Sequence, residues 1–117
     1  MSSANFLTRF LPALLPILVT ACSHAPAAER GRALTQQYQC GSCHTIPGVN
    51  AANGQVAVTL ESFGRRSYIA GHVPNTSENL VLWIVMPNQV VPGTTMPSMG
   101  VTPEDAKAIA AYLGRLR

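Results

Sequence analysis

CGSCH, residues 40–44, places two thiols and an imidazole within five consecutive positions of a chain of 117 residues. Three kinds of site use such a cluster: a redox-active dithiol, part of a zinc site, or a point of covalent haem attachment. A disulfide between Cys40 and Cys43 would close a very short loop and would restrain little of the unfolded chain. The two cysteines are therefore expected to carry chemistry rather than to cross-link the fold.

The spacing favours covalent haem, since C-x-x-C-H is the attachment signal for c-type haem. Two thiols on one turn of chain can add to the two vinyl groups of a porphyrin, and His44 then lies under the iron as its ligand. A thiol oxidoreductase would carry the motif in a βαβ unit, and nothing upstream of Cys40 resembles a strand. A zinc site would need two more ligands, for which only His24 and His72 remain. The dithiol and the zinc site stay open as alternatives.

The second axial ligand of the iron is sought among the methionines downstream of the motif. Met86 closes an apolar helix, where a methionine is ordinary core filler. Met96 lies in the polar, turn-rich loop VPGTTMPSMG, where a hydrophobic side chain needs a specific reason. A thioether is a soft, neutral ligand that raises the potential of a haem ligated by His. We therefore expect Met96 to bind the iron, with Met99 as the first rival and His72 as the second.

Residues 1–21 are predicted to form an export signal of the lipoprotein type. Arg9 precedes an apolar run, residues 10–19, that is shorter than the ~20 residues needed to span a bilayer. The cysteine of VTAC, residues 19–22, resembles the acylated cysteine of a bacterial lipobox. Cys22 would then anchor the protein by lipid on the periplasmic side of a bacterial membrane, through a short tether of residues 22–27. The alternatives are an ordinary cleaved signal, with Cys22 as a stray thiol, and an uncleaved anchor.

The sequence of residues 28–117 predicts one all-α domain, which begins with a helix over residues 28–39. Residues 45–64, with their Pro-Gly and Asn-Gly pairs, are expected to form a long loop that wraps a planar cofactor. The net charge of the chain is +3, and it contains no basic block or basic–aromatic stripe. No nucleic-acid partner is therefore expected.

Two more helices are predicted in the second half of the chain. One begins at Asn75 or Thr76 and is stopped by Pro87, with a further loop over residues 88–100. The last helix has Thr102 as its cap and an apolar stripe at helical spacing. Two arginines are expected in its last turn, Arg115 and Arg117.

Four segments of residues 28–117 together resemble class I cytochromes c, which are monohaem c-type cytochromes: GRALTQQYQCGSCHTIPG, FGRRSYIAG, VPGTTMPSMG and PEDAKAIAAYL. The stretch PNTSENLVLWIVMPNQVVPGTTMPSMGV is similar to cytochrome c domains fused to, or associated with, terminal-oxidase subunit II. No copper-binding subunit II domain is recognised beside it, so a stand-alone, lipid-anchored version is expected. The resemblance implies a small all-α fold in which the N- and C-terminal helices cross and long loops wrap one haem c.

The resemblance also implies which residues bind the haem. Cys40 and Cys43 would form the two thioethers, and His44 and Met96 would be the axial ligands of the iron.

Further matches concern contacts around the haem and at the helix crossing. Arg65 matches an arginine that approaches a haem propionate; Arg66 is the neighbouring alternative, and a solvated surface charge is the plainer interpretation of both. Trp83 would pack on the haem and donate its indole N–H to a propionate, with plain core packing as the alternative. Gly31 and Tyr112 match the crossing of the terminal helices, where a glycine lets the two helices touch.

Two places depart from the family pattern. Thr35 stands where relatives usually carry an aromatic, so half of an aromatic pair at the crossing is missing and lower stability is expected. Ala57 and Val58 stand where relatives carry a Gly-Pro whose carbonyl accepts the N–H of the proximal histidine. The carbonyl of Val58 could make that hydrogen bond instead.

The expected function is the transfer of single electrons by a membrane-tethered monohaem cytochrome. A quinol-oxidising complex would be the donor and a terminal oxidase the acceptor. The alternatives are the haem subunit of a periplasmic dehydrogenase, a gas sensor or peroxidase whose Met96 ligand dissociates easily, and a colourless thiol oxidoreductase.

Overall fold

The computed structural model describes residues 26–117, so the predicted export signal, Cys22 and most of the tether lie outside the described residues. Within residues 26–117 the α-helices are α1 (Ala27–Gln37), α2 (Ser77–Val85), α3 (Pro87–Val90) and α4 (Pro103–Leu113). An antiparallel ribbon of two short strands, β1 (Tyr68–Ile69) and β2 (Val73–Pro74), precedes α2. The predicted all-α class is confirmed, with this ribbon as an addition that the sequence did not indicate.

The terminal helices α1 and α4 cross in direct backbone contact. A Cβ atom on Gly31 would overlap the carbonyl oxygen of Ala108 on α4, so only glycine permits this approach. The predicted crossing at Gly31 is therefore confirmed. Thr35, one turn further along α1, is 1% exposed, and its hydroxyl donates to the Arg32 carbonyl at 2.7 Å. The residue that replaces an aromatic is thus buried with its polar group satisfied.

Side chains hold α1 against the start of α4. The hydroxyl of Tyr38 donates to Asp105 Oδ2 at 2.7 Å, and the guanidinium of Arg30 pairs with Asp105 Oδ1. Further along α4, the hydroxyl of Tyr112 donates to the carbonyl of Pro47, in the loop that follows the CGSCH motif. Side-chain bonds therefore join α1 to α4 and also join α4 to that loop.

The start of α4 is as predicted, whereas its end is not. The Thr102 hydroxyl accepts the N–H of Asp105 at 3.1 Å and so caps the helix. The helix ends at Leu113, so the predicted place of Arg115 and Arg117 in its last turn is wrong. Beyond the helix the chain packs on the turn Phe63–Arg65, because the N–H of Gly64 donates to the Leu116 carbonyl at 2.8 Å.

The helix α2 ends just before Pro87, as predicted, and a separate short helix begins at the proline. Thr76 caps α2 by accepting the N–H of Asn79 at 3.1 Å, and the helix ends at Val85. Pro87 then occupies the first turn of α3, where the N–H that proline lacks would have no helical partner. The loop predicted for residues 88–100 therefore begins as a helical turn.

One core cluster joins the helices to the loops. Ile46 lies two positions after the motif histidine and is 2% exposed, so the loop after CGSCH is part of the core. No helix within residues 26–117 combines the length and the apolar character that crossing a bilayer requires. The larger buried apolar side chains are Leu34, Ile46, Val49, Leu60, Phe63, Ile69, Leu80, Ile84, Val101, Ile109, Tyr112 and Leu113.

Candidate functional site

The CGSCH motif follows α1 as one tight coil. Gln39 has a left-handed backbone conformation (φ 57°), which turns the chain out of the helix. Cys40–Ser42 then form a 3-10 turn, and the N–H groups of Cys43 and His44 donate to the Cys40 carbonyl at 3.3 and 3.1 Å. The two thiols and the imidazole therefore lie within five consecutive residues of the same short coil, as one attachment site requires.

Both thiols of the motif are half-buried and form no disulfide within the described residues. Cys40 packs against the core cluster, and this burial raises the pKa of its thiol above the usual value. A thiol–disulfide enzyme needs a lowered thiol pKa, so this environment does not favour the dithiol alternative. Within residues 26–117, no three His, Cys, Asp or Glu side chains are grouped so that they could hold a metal ion, which leaves the zinc alternative without support.

The imidazole of His44 is oriented by a backbone carbonyl. Its Nδ1 atom lies 2.6 Å from the carbonyl oxygen of Val58. A carbonyl oxygen only accepts hydrogen bonds, so Nδ1 carries the proton and Nε2 keeps a lone pair for a metal. The hydrogen bond considered for Val58 from the sequence is confirmed.

The loop that presents the Val58 carbonyl is bonded to the backbone of the motif. The N–H of Gly54 donates to the Gly41 carbonyl at 3.0 Å, and the N–H of Ala57 donates to the Cys43 carbonyl at 2.9 Å. A Cβ on Gly54 would lie 2.5 Å from a carbonyl oxygen of the motif, so the loop can approach this closely only with glycine there. The position of the Val58 carbonyl, which accepts from the imidazole, is therefore set by backbone packing. This packing does not need a proline at position 58.

The candidate methionine ligands differ in burial. Met96 is half-buried in its loop, and its N–H lies 3.4 Å from the Thr94 hydroxyl. Met99 is 43% exposed. Met86 is half-buried where α2 meets α3, which suits packing, and His72 is exposed in the turn between β1 and β2. Since an iron ligand is shielded from water, burial favours Met96 over Met99.

The two arginines of FGRR have different surroundings. The guanidinium of Arg66 donates to the Thr59 carbonyl and lies 5.5 Å from the centroid of the Phe63 ring. Arg65 is exposed, and its guanidinium makes no hydrogen bond or ion pair to the part of the chain that the structure describes. Arg65 is therefore the one with a guanidinium available to an anion. Trp83 is half-buried on α2 and packs against the core cluster. This burial is compatible both with packing on the haem and with plain core packing.

The sequence profile of the cytochrome c family matches residues 28–117. The chain belongs to the cytochrome c family. With its crossing terminal helices it is a class I c-type cytochrome, as the resemblance predicted. Membership makes it an electron-transfer protein whose cofactor is covalently attached haem c.

Its relatives include subunits of oxidases. The chain is 35% identical over 91 residues to cytochrome c oxidase subunit 2 of Alkalihalophilus pseudofirmus, an alignment that covers 77% of this chain and 26% of the relative. It is 37% identical over 87 residues to the cytochrome c-type cyt cy of Rhodobacter capsulatus, covering 66% of this chain and 43% of that protein. Subunit 2 of the oxidase of Bacillus sp. strain PS3 is 33% identical over 96 residues, covering 79% and 27% of the two chains. This cytochrome thus spans less than half the length of each of these relatives.

The side chains of the motif fit haem c by their donor chemistry. Two half-buried thiols without a disulfide are available for thioether bonds, and the Nε2 atom of His44 is left as a metal ligand by the bond at Nδ1. A thioether from the half-buried Met96 completes a donor set of the kind that cytochromes c use.

Two contacts of this cytochrome were missed from the sequence. Tyr112 was expected only at the helix crossing, yet its hydroxyl holds the carbonyl of Pro47 beside the motif. The Asn53-Gly54 pair predicted only a turn. Gly54 does not have a positive φ, so its glycine is needed for space rather than for conformation. The place of Gly54 shortly after the motif was the one feature of the sequence that could have indicated this contact.

Proposed function

We propose that this cytochrome is a membrane-tethered, periplasmic carrier of single electrons that works with a terminal oxidase in a respiratory chain. The observation that carries the proposal is the imidazole of His44, whose Nδ1 is bonded to the Val58 carbonyl so that Nε2 is available to iron. The two thiols beside it are open to covalent attachment.

In this proposal Cys40 and Cys43 would hold the haem through thioethers, and His44 and Met96 would ligate its iron. Bound haem c supplies a one-electron couple. With His44 and Met96 both as ligands, the iron would be suited to electron transfer rather than to the binding of a reactant.

Two further side chains adjust the surroundings of the haem. Arg65 is exposed and offers its guanidinium to a propionate, which it can bind through paired hydrogen bonds. Trp83 on α2 packs against the core cluster and would help to exclude water from the bound haem. Both contributions stabilise the bound cofactor without taking part in ligation.

The choice of partner is supported by the relatives. Two of them are named as subunit 2 of cytochrome c oxidases, so a terminal oxidase is proposed as the electron acceptor. A quinol-oxidising complex is proposed as the donor. The membrane tether is supported by the sequence, in which an apolar run leads into VTAC, and the last residue of VTAC is Cys22.

The proposal is tested first by a reduced-minus-oxidised absorption spectrum and the intact mass of the full chain purified from its host. We expect the spectrum of a c-type cytochrome and a mass that includes one haem and the acyl groups on Cys22. A colourless protein with the mass of the bare chain would overturn the proposal.

The sixth ligand is tested by Met96→Ala, with Met99→Ala as the matched control. We expect Met96→Ala to abolish the methionine–iron charge-transfer band. The reduction potential should fall by on the order of 0.1 V or more, a part of the ~0.8 V range that axial ligands span. Met99→Ala should keep both properties, and the reverse result would assign the ligand to Met99. Rapid binding of carbon monoxide by the reduced wild type would instead favour a gas sensor.

A further inference from the structure

The loop that presents the Val58 carbonyl begins with an Asn-Gly pair, Asn53 and Gly54, and Asn53 is exposed. In an unfolded chain, an asparagine followed by glycine loses its side-chain amide more readily than one followed by any other residue. The reason is that glycine has no side chain to hinder attack by its own main-chain nitrogen. The pair is therefore a place where this chain can modify itself, with water as the only co-reactant.

The reaction joins the main-chain nitrogen of Gly54 to Cγ of Asn53. The Cγ–Nδ2 bond breaks, and ammonia leaves with the proton that the Gly54 nitrogen gives up, so a cyclic imide remains. Water then opens the ring at one of its two carbonyl carbons. Opening at Cγ gives aspartate, whereas opening at the main-chain carbonyl gives isoaspartate, in which the main chain runs through Cβ and is longer by a carbon atom.

The fold opposes the first step of this reaction. The N–H of Gly54 donates to the Gly41 carbonyl at 3.0 Å, and an imide nitrogen carries no hydrogen, so the ring cannot form while this bond exists. The carbonyl of Gly54 is held as well, because it accepts from the Thr45 hydroxyl at 3.1 Å. Gly54 also lies so close to the backbone of Ser42 and Cys43 that even a Cβ atom would overlap it. The ring therefore forms only after the loop has left the motif.

Isoaspartate at position 53 is incompatible with the bonds on its two sides. Before Asn53, the Ala52 carbonyl accepts the N–H of Ile46 at 3.0 Å, and after it Gly54 is bonded to Gly41. These bonds fix the length of chain that joins positions 52 and 54, so a longer main chain cannot keep both of them. Loss of the bond at Gly54 would release the loop that presents the acceptor carbonyl to the motif imidazole.

We propose that Asn53 is a latent modification site that the docked loop keeps closed. In a chain whose loop has not docked on the motif, Asn53 converts to aspartate and isoaspartate, and isoaspartate then prevents docking. The folded chain is thus protected at this position, whereas a chain that stays unfolded loses the ability to fold as time passes. The inference goes beyond the proposed function and depends on neither the electron-transfer partner nor the membrane anchor.

The first test compares the full holoprotein in buffer with the same protein unfolded in guanidinium chloride, by peptide mapping and mass spectrometry over time. Asn53 should convert at least about tenfold faster in the unfolded protein, since each ~1.4 kcal/mol needed to open the loop slows the reaction tenfold. Asn50 is exposed and is followed by Ala51, so it is the internal control and should convert slowly in both samples. Equal rates for Asn53 in the two samples, or an unfolded rate no faster than that of Asn50, would overturn the inference.

The second test loosens the loop in buffer without denaturant. Ala57→Pro removes the N–H that donates to the Cys43 carbonyl at 2.9 Å. In the haem-bearing variant Asn53 should convert about fivefold faster than in the wild type, the factor that corresponds to the ~1 kcal/mol of one hydrogen bond. Val56→Ala, which shortens an exposed side chain beside the same bond, is the matched control and should keep the wild-type rate. Equal rates for the two variants would contradict protection by docking.

The third test asks whether isoaspartate prevents folding. Unfolded holoprotein in which Asn53 has partly converted is diluted out of guanidinium, and the refolded fraction is separated from the rest. Isoaspartate at position 53 should be confined to the fraction that does not refold. Asn53→Gln has a longer side chain that cyclises far more slowly, so it should refold completely after the same incubation. Freshly prepared Asn53→Asp carries the new charge on a main chain of normal length and should also refold.

Two outcomes of the refolding test would overturn the inference. Isoaspartate spread evenly between the two fractions would show that the lengthened main chain still docks. Failure of Asn53→Asp to refold would assign the damage to the negative charge instead of the extra carbon atom. Neither outcome bears on the proposed function, which is tested separately by the absorption spectrum and the intact mass.

Discussion

At the residue scale, the chemistry of the site depends on a backbone group. The Val58 carbonyl 2.6 Å from His44 Nδ1 fixes which imidazole nitrogen is protonated and therefore which one can bind iron. Relatives with Gly-Pro at this place offer the same atom from a stiffer residue. What matters is the position of the oxygen, and here backbone bonds to the motif set that position.

Val58→Pro should therefore be tolerated at this site. The N–H of Val58 makes no backbone hydrogen bond within residues 26–117, so proline removes none. We expect an unchanged reduction potential and an increase of about 0.4–1 kcal/mol in the free energy of unfolding, because proline restricts the unfolded chain. Potentiometry and guanidinium unfolding measure the two quantities.

Ala57→Pro is the matched control for that substitution. The N–H of Ala57 donates to the Cys43 carbonyl, so proline at this position removes a hydrogen bond and should destabilise the protein. If Val58→Pro lost as much stability as Ala57→Pro, the position of the carbonyl that accepts from His44 would depend on the conformational freedom of residue 58. It would then not be set by backbone packing alone.

At the element scale, the crossing of α1 and α4 organises the domain. Gly31 brings the two backbones into contact, and Tyr38 and Asp105 bond the helices across it. Tyr112 extends the same assembly to Pro47, so the terminal helices also support the loop behind the haem-attachment motif. Damage to the crossing is therefore expected to reach the site.

Gly31→Ala should weaken this crossing although alanine favours helices. The added Cβ would overlap the Ala108 carbonyl oxygen, which the backbone of α4 cannot vacate without moving. We expect the free energy of unfolding to fall by about 1–3 kcal/mol. Gln37→Ala, at an exposed position of the same helix, should change it by no more than about 0.5 kcal/mol. Equal effects of the two substitutions in guanidinium unfolding would contradict the close contact.

The Tyr38–Asp105 bond should make stability depend on pH in the acid range. The Tyr38 hydroxyl, followed by the charge of Arg30, lowers the pKa of Asp105 below its usual value. The folded pKa is thus below the unfolded one, so this stabilisation is complete above the unfolded pKa and is lost as the pH falls through the folded pKa.

We expect the unfolding free energy of the wild type to decline more steeply below pH ~4 than that of Tyr38→Phe, which lacks the hydroxyl. Guanidinium unfolding at several pH values gives both curves. Parallel curves would show that the bond does not perturb Asp105.

At the scale of the whole molecule, charge is divided between regions. The ion pairs within residues 26–117 lie on α1 and α4, and join Arg30 to Asp105, Arg32 to Glu29 and Lys107 to Glu104. Four more arginines lie where the chain end packs on the Phe63–Arg65 turn: Arg65, Arg66, Arg115 and Arg117. Residues 33–60, which include the haem-attachment motif, contain no Asp, Glu, Lys or Arg.

Cys22→Ser tests the proposed anchor of the whole molecule. Serine cannot accept the acyl chains, so the variant should lose its stable attachment to the membrane while keeping its haem. Cell fractionation followed by intact mass measurement separates the outcomes. A variant that stays in the membrane fraction would favour an uncleaved anchor instead of lipid.

Features that depend on neighbours in sequence were the ones predicted well. Thr102 caps α4 through a residue three positions away, and the motif coil is closed by bonds to Cys40 from the residues that follow it. The predicted site is local for the same reason, because CGSCH holds its thiols and imidazole on one stretch of chain. Arg115 and Arg117 were misplaced because the bonds of the chain end to Gly64 compete with continuation of the helix.

The sequence by itself therefore determined the cofactor chemistry, the helical class and the glycine contact at Gly31. The tertiary structure decided which partners meet across the chain. Tyr112 reaches Pro47 over 65 positions, and Tyr38 reaches Asp105 over 67. Such pairings depend on how the whole core closes, and no local spacing encodes them, whereas caps and a five-residue motif are complete within a turn of chain.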